Sequence, residues 1–417
     1  MHENHGLNRG GEYNMKDVLW ISLMVPYDTV SHASGKTQNW YLKRLAKEKE
    51  VKLRLATFCK PNELEKIDLD SYGIVHNIYV RPRGGVINEI KRAIAWMSKL
   101  EVWNKYAGLT TCDYRFGIKK IIRELDQENY KPNVVIMQWT EIVFFLPIFK
   151  KKWPDAKFIA IEEDVSYLGM QRKRDFYKNL FQKTFFAIKA RKVRNLEIKC
   201  LNECDFVVFN NEKDYKLSCS DGYIGKNMIW SVFYQNFSDR KLKNQNSKEI
   251  VFYGAMAREE NWKSCVWFIE NVMPRIKDKE IKFVIVGSGP KAKLLSYAND
   301  RVVIKGFVED VGEELESAMC LVAPLVMGAG IKVKILEAMS LGIPVLTNSI
   351  GIEGIPMTKN VDYYHCEEPQ EYVDAINMIC ENRECATQIG DNAKQKIISI
   401  FNYEDDAVKF IEKILCL

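Results

Sequence analysis

Histidine is scarce in this sequence, and long hydrophobic runs are missing from it. There are five histidines in 417 residues, and none lies near Cys200 or Cys204, so we expect no metal site. The most apolar run, VVIMQWTEIVFFLPIF, is shorter than a membrane-spanning helix and contains Gln138, Glu141 and Pro147. These two shortages argue against a histidine-based metal centre and against an integral membrane protein.

A strong excess of charge and a disulfide framework are also lacking. The net charge is +6, which is too mild to indicate nucleic-acid binding but is compatible with an anionic ligand or membrane surface. The 11 cysteines have no regular spacing and fall within apolar segments, so we expect reduced core thiols in a cytoplasmic protein. Residues 1–14, MHENHGLNRGGEYN, are polar and unpatterned, and we expect a disordered leader there.

What the sequence does contain is a repeated alternation of strand and helix patterns. Strand-like runs such as DVLWISLMV, NVVIMQW and KFIAIEED alternate with helical segments up to residue 233, and the same alternation restarts at IVFYGAM. Between them, residues 234–248 are polar and read as a linker. The strands are continuously apolar, as in parallel sheets buried on both faces. The pattern predicts two Rossmann-like α/β domains, residues 15–233 and 249–400, that face a cleft.

The segment GAGIKVKILEAMSLGIPV, from Gly328 to Val345, contains the strongest local signal. Its apolar spacing predicts a helix from near Gly330, which places Lys332 and Lys334 in the first turn. The helix dipole disfavours cations there by about 0.3–1 kcal/mol. Bound phosphate would reverse that cost, because free N–H groups, close-packing glycines and lysines all suit an anion. The alternative is a pair of solvated surface lysines on an ordinary helix.

Two other loops of the second domain are candidate ligand sites. FVIVGSGPKA fits a dinucleotide fingerprint, but it follows the second strand of the domain, so Gly287 is better explained by a tight turn near a ligand. In GAMAREENWKS, Arg258 and Lys263 could reach a diphosphate, or could instead pair with Glu259 or Glu260.

Glu337 and Lys334 lie three residues apart, on one face of the predicted helix. A carboxylate at that place could hold both oxygens of a ribose diol. The alternative is an ordinary ion pair within the helix.

In combination these segments resemble a known family. GAGIKVKILEAMSLGIPVLTNSIGIEG resembles the donor-site motif of retaining GT-B glycosyltransferases of family four (glycosyl transferases group 1), and VFYGAM, FVIVGSGP and VVIKGFVED are similar to its other loops. SHASGKTQNWYLKRLA resembles the first glycine loop and helix. The resemblance implies an α/β GT-B fold with a central cleft, a nucleotide-diphosphate sugar in the second domain and an acceptor in the first. It also implies that a helix over residues 401–417 crosses back to the first domain.

The resemblance assigns roles to particular positions. Glu337 would bind ribose, and Lys332 and Lys334 would bind the diphosphate. The backbone would contribute near the base, at the diphosphate and in the first-domain loop, at Phe307 and Val308, at Gly328, Ala329, Gly330 and Ile331, and at Gly35.

Two positions depart from the family pattern. Ala329 stands where the family usually has the first of two glutamates, and Ala255 stands where it has an arginine, so Arg258 and Lys263 are our inferred substitutes for that arginine.

On the acceptor side, the loop after KFIAIE carries Glu163 and Asp164, where the family often has a histidine–aspartate pair. We expect these acids to position an acceptor hydroxyl, with a solvated acidic loop as the alternative and His32 as a weaker candidate. The basic segment QRKRDFYKNLFQKTFFAIKARKVRNLEIK belongs to a predicted helical stretch from about Phe176 to Asn202. Its interleaved phenylalanines predict either a core-facing aromatic stripe, which we favour, or a helix resting on anionic lipid.

The function implied is a retaining sugar transfer from a UDP- or GDP-sugar to a glycan or lipid-linked acceptor in cell-surface polysaccharide synthesis. We expect no cofactor and no required metal, and a cytoplasmic location with peripheral contact to the inner face of the membrane left open. Two alternatives stay open as well: a non-catalytic nucleotide-sugar-binding partner subunit, and a GT-B sugar-nucleotide epimerase.

Overall fold

The computed structural model describes residues 15–30, 33–82, 85–243, 247–328 and 330–417. The predictions made for residues 1–14, for His32 and for Ala329 therefore lie outside the described residues.

The strands follow the continuously apolar runs of the sequence. They are β1 Lys16–Ile21, β2 Val51–Cys59, β3 Val75–Val80, β4 Val134–Gln138, β5 Lys157–Glu162, β6 Phe206–Phe209, β7 Asn227–Ile229, β8 Glu249–Tyr253, β9 Lys282–Val286, β10 Val302–Gly306, β11 Cys320–Ala323, β12 Val345–Thr347 and β13 Tyr364–His365.

The helices connect these strands and end the chain. They are α1 Ala33–Leu45, α2 Val86–Met97, α3 Cys112–Gln127, α4 Thr140–Val143, α5 Leu146–Lys152, α6 Ser166–Phe176, α7 Leu180–Asn202, α8 Glu212–Ser220, α9 Glu259–Asn271, α10 Ala292–Leu295, α11 Val311–Glu316, α12 Val333–Leu341, α13 Pro369–Glu381, α14 Arg383–Ile400 and α15 Tyr403–Cys416. Short 3-10 turns lie at Pro61–Lys66, Leu69–Tyr72, Ser98–Leu100 and Met273–Arg275.

Two parallel sheets organise the chain, and each has the Rossmann strand order. The first sheet runs β3-β2-β1-β4-β5-β6-β7, and the second runs β10-β9-β8-β11-β12-β13. In each sheet the strand order reverses beside the domain's first strand, between β1 and β4 and between β8 and β11. Open parallel sheets bind ligands at the carboxyl ends of the strands at such a reversal. The fold predicted from the sequence, two Rossmann-like α/β domains, is confirmed.

Both faces of each sheet are buried, because successive strand residues point to opposite sides. In β1, Leu19 packs in the core on one face and Trp20 in the core on the other, and both are fully buried. The apolar side of α15, including Phe410 and Ile414, packs in the same core as Trp20. The last helix of the chain therefore lies on the first domain, although it follows the second.

The basic segment around α6 and α7 differs from the sequence prediction in two ways. The helix expected from about Phe176 to Asn202 begins only at Leu180, because Asn179 caps it by accepting hydrogen bonds from the N–H groups of Phe181 (2.9 Å) and Gln182 (3.3 Å). The favoured core-facing stripe is wrong at its start, since Leu180 is 79% and Phe181 82% exposed.

All 11 cysteines are free thiols, but Cys219, Cys385 and Cys416 are exposed, so the expectation of core thiols is wrong for these three. Among the described residues, no helix combines the length and the apolar character needed to cross a membrane.

Candidate functional site

The glycine loop of the second domain lies between β11 and α12, next to the point where the strand order reverses. Gly328 has a φ of 131° and Gly330 a φ of 71°, values that side chains other than glycine rarely adopt. Because of this left-handed turn, α12 begins at Val333 with Lys332 as its N-cap, and not near Gly330 as the sequence predicted. A Cβ added at Gly330 would lie 3.3 Å from Cβ of Asp164, so the loop directly contacts the acidic loop of the first domain.

Lys334 lies in the first turn of α12 and points back under the first strand of its domain. Its Nζ donates to Oδ1 of Asn261 at 2.7 Å and lies 4.0 Å from the ring centroid of Phe252. Burial lowers the pKa of Lys334 to about 7. A Cβ at Gly254 would come within 2.9 Å of Lys334 Nζ, so only a glycine leaves room for the ammonium there. The prediction of solvated surface lysines does not describe this residue.

Lys332 precedes the helix and turns into the same loop. Its Nζ donates to the carbonyl oxygen of Gly330. Burial lowers the pKa of Lys332 to about 8, although the nearby carboxylates of Glu353 and Asp164 oppose that shift. Burial thus destabilises the charged form of both lysines of the motif.

Glu337 is 3% exposed and sits one turn further along α12. Its Oε2 accepts from the Tyr253 hydroxyl at 2.6 Å, and its Oε1 accepts from the backbone N–H of Gln235 at 3.2 Å. Lys36 Nζ, from α1 of the other domain, lies 3.9 Å from Oε1. Burial raises the pKa of Glu337 against these three partners. The partners of Glu337 therefore come from outside α12. Lys334 donates its hydrogen bond to Asn261 in a separate contact.

The acidic loop after β5 is packed into the first domain. Gln138 donates to Oε1 of Glu163, and Asn210 Nδ2 donates to its Oε2 at 3.2 Å. Burial raises the pKa of Glu163 to about 7 and also raises the pKa of Asp164. The alternative of a solvated acidic loop does not fit these contacts.

Beneath this loop lies a second acidic pair. Glu162 is 1% exposed and accepts from the Thr140 hydroxyl at 2.9 Å. Glu197, from α7, accepts from the same hydroxyl at 3.2 Å and from the Ser166 N–H at 3.0 Å. Burial raises the pKa of both carboxyls, and that of Glu197 reaches about 7.

Arg258 and Lys263 lie near the site but already have partners. Arg258 pairs with Glu260, and Lys263 Nζ lies 3.4 Å from Oε2 of Glu259. Lys263 also lies 5.0 Å from the ring centroid of Phe176, at the end of α6 in the first domain. The ion pairs that the sequence left open thus form, and contact with a diphosphate stays a prediction.

The remaining sequence candidates differ in what surrounds them. A Cβ at Gly287 would lie 1.8 Å from the carbonyl oxygen of Gly254, so Gly287 lets two loops of the second domain pack together. Phe307 is 68% exposed, while Val308 is half-buried against the core. Gly35 is buried in the first turn of α1, next to Lys36. Ile331 is half-buried against the core of the second domain.

A cluster that joins the two domains was missed by the sequence reasoning. Arg172, on α6, donates two hydrogen bonds to the carboxylate of Glu353 and one to the carbonyl oxygen of Gly328. Lys213, on α8, donates to the same carboxylate. Glu353 lies in the quoted motif, but Arg172 is 181 residues away in the chain, and no local spacing links them.

Together these groups form a cleft with a basic edge and an acidic edge. The basic edge consists of Lys332 and Lys334 at the start of α12, and the acidic edge consists of Glu163 and Asp164. A helix start with flanking lysines can bind a diphosphate, and carboxylates opposite it can bind a hydroxyl.

Comparison with known proteins finds a family match in the second domain and solved structures of similar fold. Residues 247–382 match the family model described as Glycosyl transferases group 1. HepE from Anabaena, solved in complex with UDP, gives a TM-score of 0.66 at 12% identity, with 97% of this chain and 100% of that chain covered. A comparison with curated proteins found no match.

Two further solved structures are similar along nearly their whole length. Sucrose-phosphate synthase from Thermosynechococcus elongatus gives a TM-score of 0.66 at 14% identity, covering 95% of this chain and 97% of that chain. A mutant of S. aureus TarM, in complex with Fondaparinux, alpha-GlcNAc-glycerol and UDP, gives 0.63 at 13% identity, covering 96% and 100%. The chain thus has the GT-B fold. The resemblance to group 1 glycosyltransferases is confirmed, and family and fold together support a glycosyltransferase.

Proposed function

We propose that this protein is a retaining glycosyltransferase that uses a UDP- or GDP-sugar and transfers the sugar to a glycan or lipid-linked acceptor in cell-surface polysaccharide synthesis. The observation that carries the proposal is the start of α12. There two half-buried lysines follow a left-handed glycine turn, and a buried carboxylate comes one turn later. HepE was solved with UDP-glucose, which supports a nucleotide-sugar donor.

In the proposed reaction the acceptor oxygen forms a bond to the anomeric carbon on the face that the nucleotide leaves. The bond between that carbon and the phosphate oxygen breaks, and this oxygen takes the acceptor proton. Negative charge grows on the diphosphate, where Lys332, Lys334 and the N–H groups of the helix start would stabilise it by preorganised electrostatics. Glu163 and Asp164 would position the acceptor hydroxyl.

The two lysines supply the positive charge that the leaving diphosphate needs, so we propose that no metal and no cofactor are required. Transfer should then continue in excess chelator. We also propose a cytoplasmic location with peripheral contact to the membrane, since the basic face of α7 exposes Leu180 and Phe181.

The test is calorimetric titration with UDP and with GDP, followed by a panel of donor sugars. Binding of one nucleotide, and transfer from one of its sugars with the anomeric configuration kept, would support the proposal. A new sugar isomer formed from the donor without acceptor would indicate an epimerase instead. Nucleotide binding with no transfer to any acceptor would indicate a non-catalytic subunit, which is the outcome that Ala329 makes important to check.

A further inference from the structure

Helix α2 carries its apolar side chains on the face turned away from the protein. Ala95 is its buried residue, and Asn88, two turns earlier on the same face, is half-buried. On the opposite face the helix presents isoleucine, valine and methionine to solvent. The exposed fractions are Val86 77%, Ile87 70%, Ile90 54%, Ile94 53% and Met97 59%. A helix of a globular protein normally buries such a stripe.

The exposed apolar surface continues beyond the end of α2. Leu100 is 54% exposed and Trp103 is 74% exposed. Lys192, from α7, lies 4.9 Å from the ring centroid of Trp103. Lys189 Nζ, also from α7, donates to the carbonyl oxygen of Lys99 at 3.0 Å. These contacts fix the segment after α2 against α7, so both belong to one face of the first domain.

Cations border this apolar surface. Exposed Lys91 and Arg92 lie on α2, and exposed Lys99 and Lys105 follow it. At the start of α7, the exposed side chains of Leu180 and Phe181 have Lys178 and Lys183 as neighbours in the chain, both exposed. We name this surface, from Val86 to Trp103, the α2 face.

We propose that the α2 face is the surface by which this protein lies on an anionic lipid bilayer. Helices that bind in the membrane interface combine a strongly apolar face, often with tryptophan, and flanking lysine and arginine. The lysines match the negative surface charge of an anionic leaflet.

The α2 face adjoins the acceptor side of the cleft. The Thr110 hydroxyl donates to the carbonyl oxygen of Glu141 at 2.8 Å, which joins the segment after α2 to the loop that follows β4. The charges of Lys99 and Asp164 both act on the pKa of Glu141, in opposite directions. Bilayer binding by this face specifies the peripheral membrane contact proposed above and is independent of the proposed sugar transfer. The further idea that a lipid-linked acceptor enters the cleft from this side depends on the proposed function.

The experiment is co-sedimentation with vesicles, without donor or acceptor. Wild-type protein should bind vesicles that contain phosphatidylglycerol and should bind pure phosphatidylcholine vesicles at least tenfold more weakly. The double variant I90S/I94S removes two exposed side chains one turn apart and should lose at least tenfold of the binding. The matched control is M378S, because Met378 is 53% exposed on α13 of the other domain, and it should bind as wild type. Unchanged melting temperatures would show that the variants fold.

Three results would overturn the proposal. The first is wild-type protein that stays in the supernatant with anionic vesicles. The second is I90S/I94S protein that binds as well as wild type. The third is a wild-type dimer that dissociates in the I90S/I94S variant while neither protein binds vesicles. That result would mean that the α2 face binds a second copy of the protein. Vesicle binding without sugar transfer would refute only the proposed sugar transfer, and transfer to a soluble acceptor without vesicle binding would refute only the membrane contact.

Discussion

Burial raises the pKa values on one edge of the cleft and lowers them on the other. On the acidic edge, burial raises the pKa of Glu163 to about 7 and also raises that of Asp164. On the basic edge, burial lowers the pKa of Lys332 to about 8 and that of Lys334 to about 7. In both places the ionised form is the one that loses water, so each group moves towards its neutral form.

Glu353 shows what a partner changes. Burial alone would raise its pKa, but the hydrogen bonds from Arg172 and Lys213 outweigh burial and hold the pKa below its usual value. A buried group in this cleft therefore stays charged when a full counter-charge bonds to it. A diphosphate would supply that counter-charge to the two lysines, and this is the physical reason why they suit a donor site.

The largest effect is expected from removing Lys334, the lysine of the basic edge whose pKa burial lowers most. We expect K334A to lower kcat/KM for transfer by about 10²–10³-fold, the usual cost of losing one preorganised donor at a developing charge. Steady-state kinetics with the identified donor would measure it. The matched control is K282A, since Lys282 is exposed at the amino end of β9, away from the cleft. Wild-type turnover in K334A would refute the site.

A smaller effect is expected from Glu337, the buried carboxylate one turn along α12 from Lys334. We expect E337Q to weaken nucleotide binding by about 10–100-fold, because hydrogen bonds to charged groups contribute about 1.5–3 kcal/mol. Calorimetry with the preferred nucleotide would measure it. E163Q, on the acidic edge, should keep nucleotide affinity and raise KM for the acceptor. If E163Q weakens nucleotide binding and E337Q does not, the two edges have been assigned the wrong way round.

The sequence was sufficient for the fold and for the glycine loop because both signals are local. Apolar runs and the spacing of Lys332, Lys334 and Glu337 are properties of short segments, and parallel sheets bring their carboxyl ends to one edge. The start of α12 was misplaced by three residues because the left-handed conformation of Gly330 is not encoded in apolar spacing. Partners from distant segments could not be predicted, and the contact between Arg172 and Glu353 depends on how the domains meet.

Helix α2 and the start of α7 also show a limit of prediction from local sequence. The apolar pattern of α2 and of the start of α7 is that of helices that pack on a core, yet their apolar residues face solvent. Periodicity predicts that a helix is amphipathic, but the tertiary fold decides what its apolar side meets.

The pKa of Lys334 leads to a prediction about pH. In the free protein this lysine loses its proton as the pH rises through about 7, whereas bound diphosphate stabilises the charged form and raises its pKa. Nucleotide affinity should therefore be full below pH 7 and should fall above it, by up to about tenfold per pH unit for one proton. Calorimetry at pH 8 in two buffers of different ionisation enthalpy would count the protons taken up. Binding without proton uptake would mean that the lysines are already charged in the empty cleft.

The smallest effect is expected from breaking the ion pair between Arg172 and Glu353, which joins the two domains. E353Q keeps the shape of the side chain but removes the charge that holds Arg172 and Lys213, so we expect a more open cleft. The KM for the donor should rise roughly fivefold, equivalent to about 1 kcal/mol, with little change in kcat. E314Q is the matched control, because Glu314 accepts from Lys305 at 2.6 Å within the second domain and its loss breaks no contact across the cleft. If the link is real, R172Q should raise KM to a similar extent, and R172Q/E353Q should be no worse than either single variant. Additive effects would show that Arg172 and Glu353 act separately, and equal effects of E353Q and E314Q would show that the ion pair does not hold the domains together.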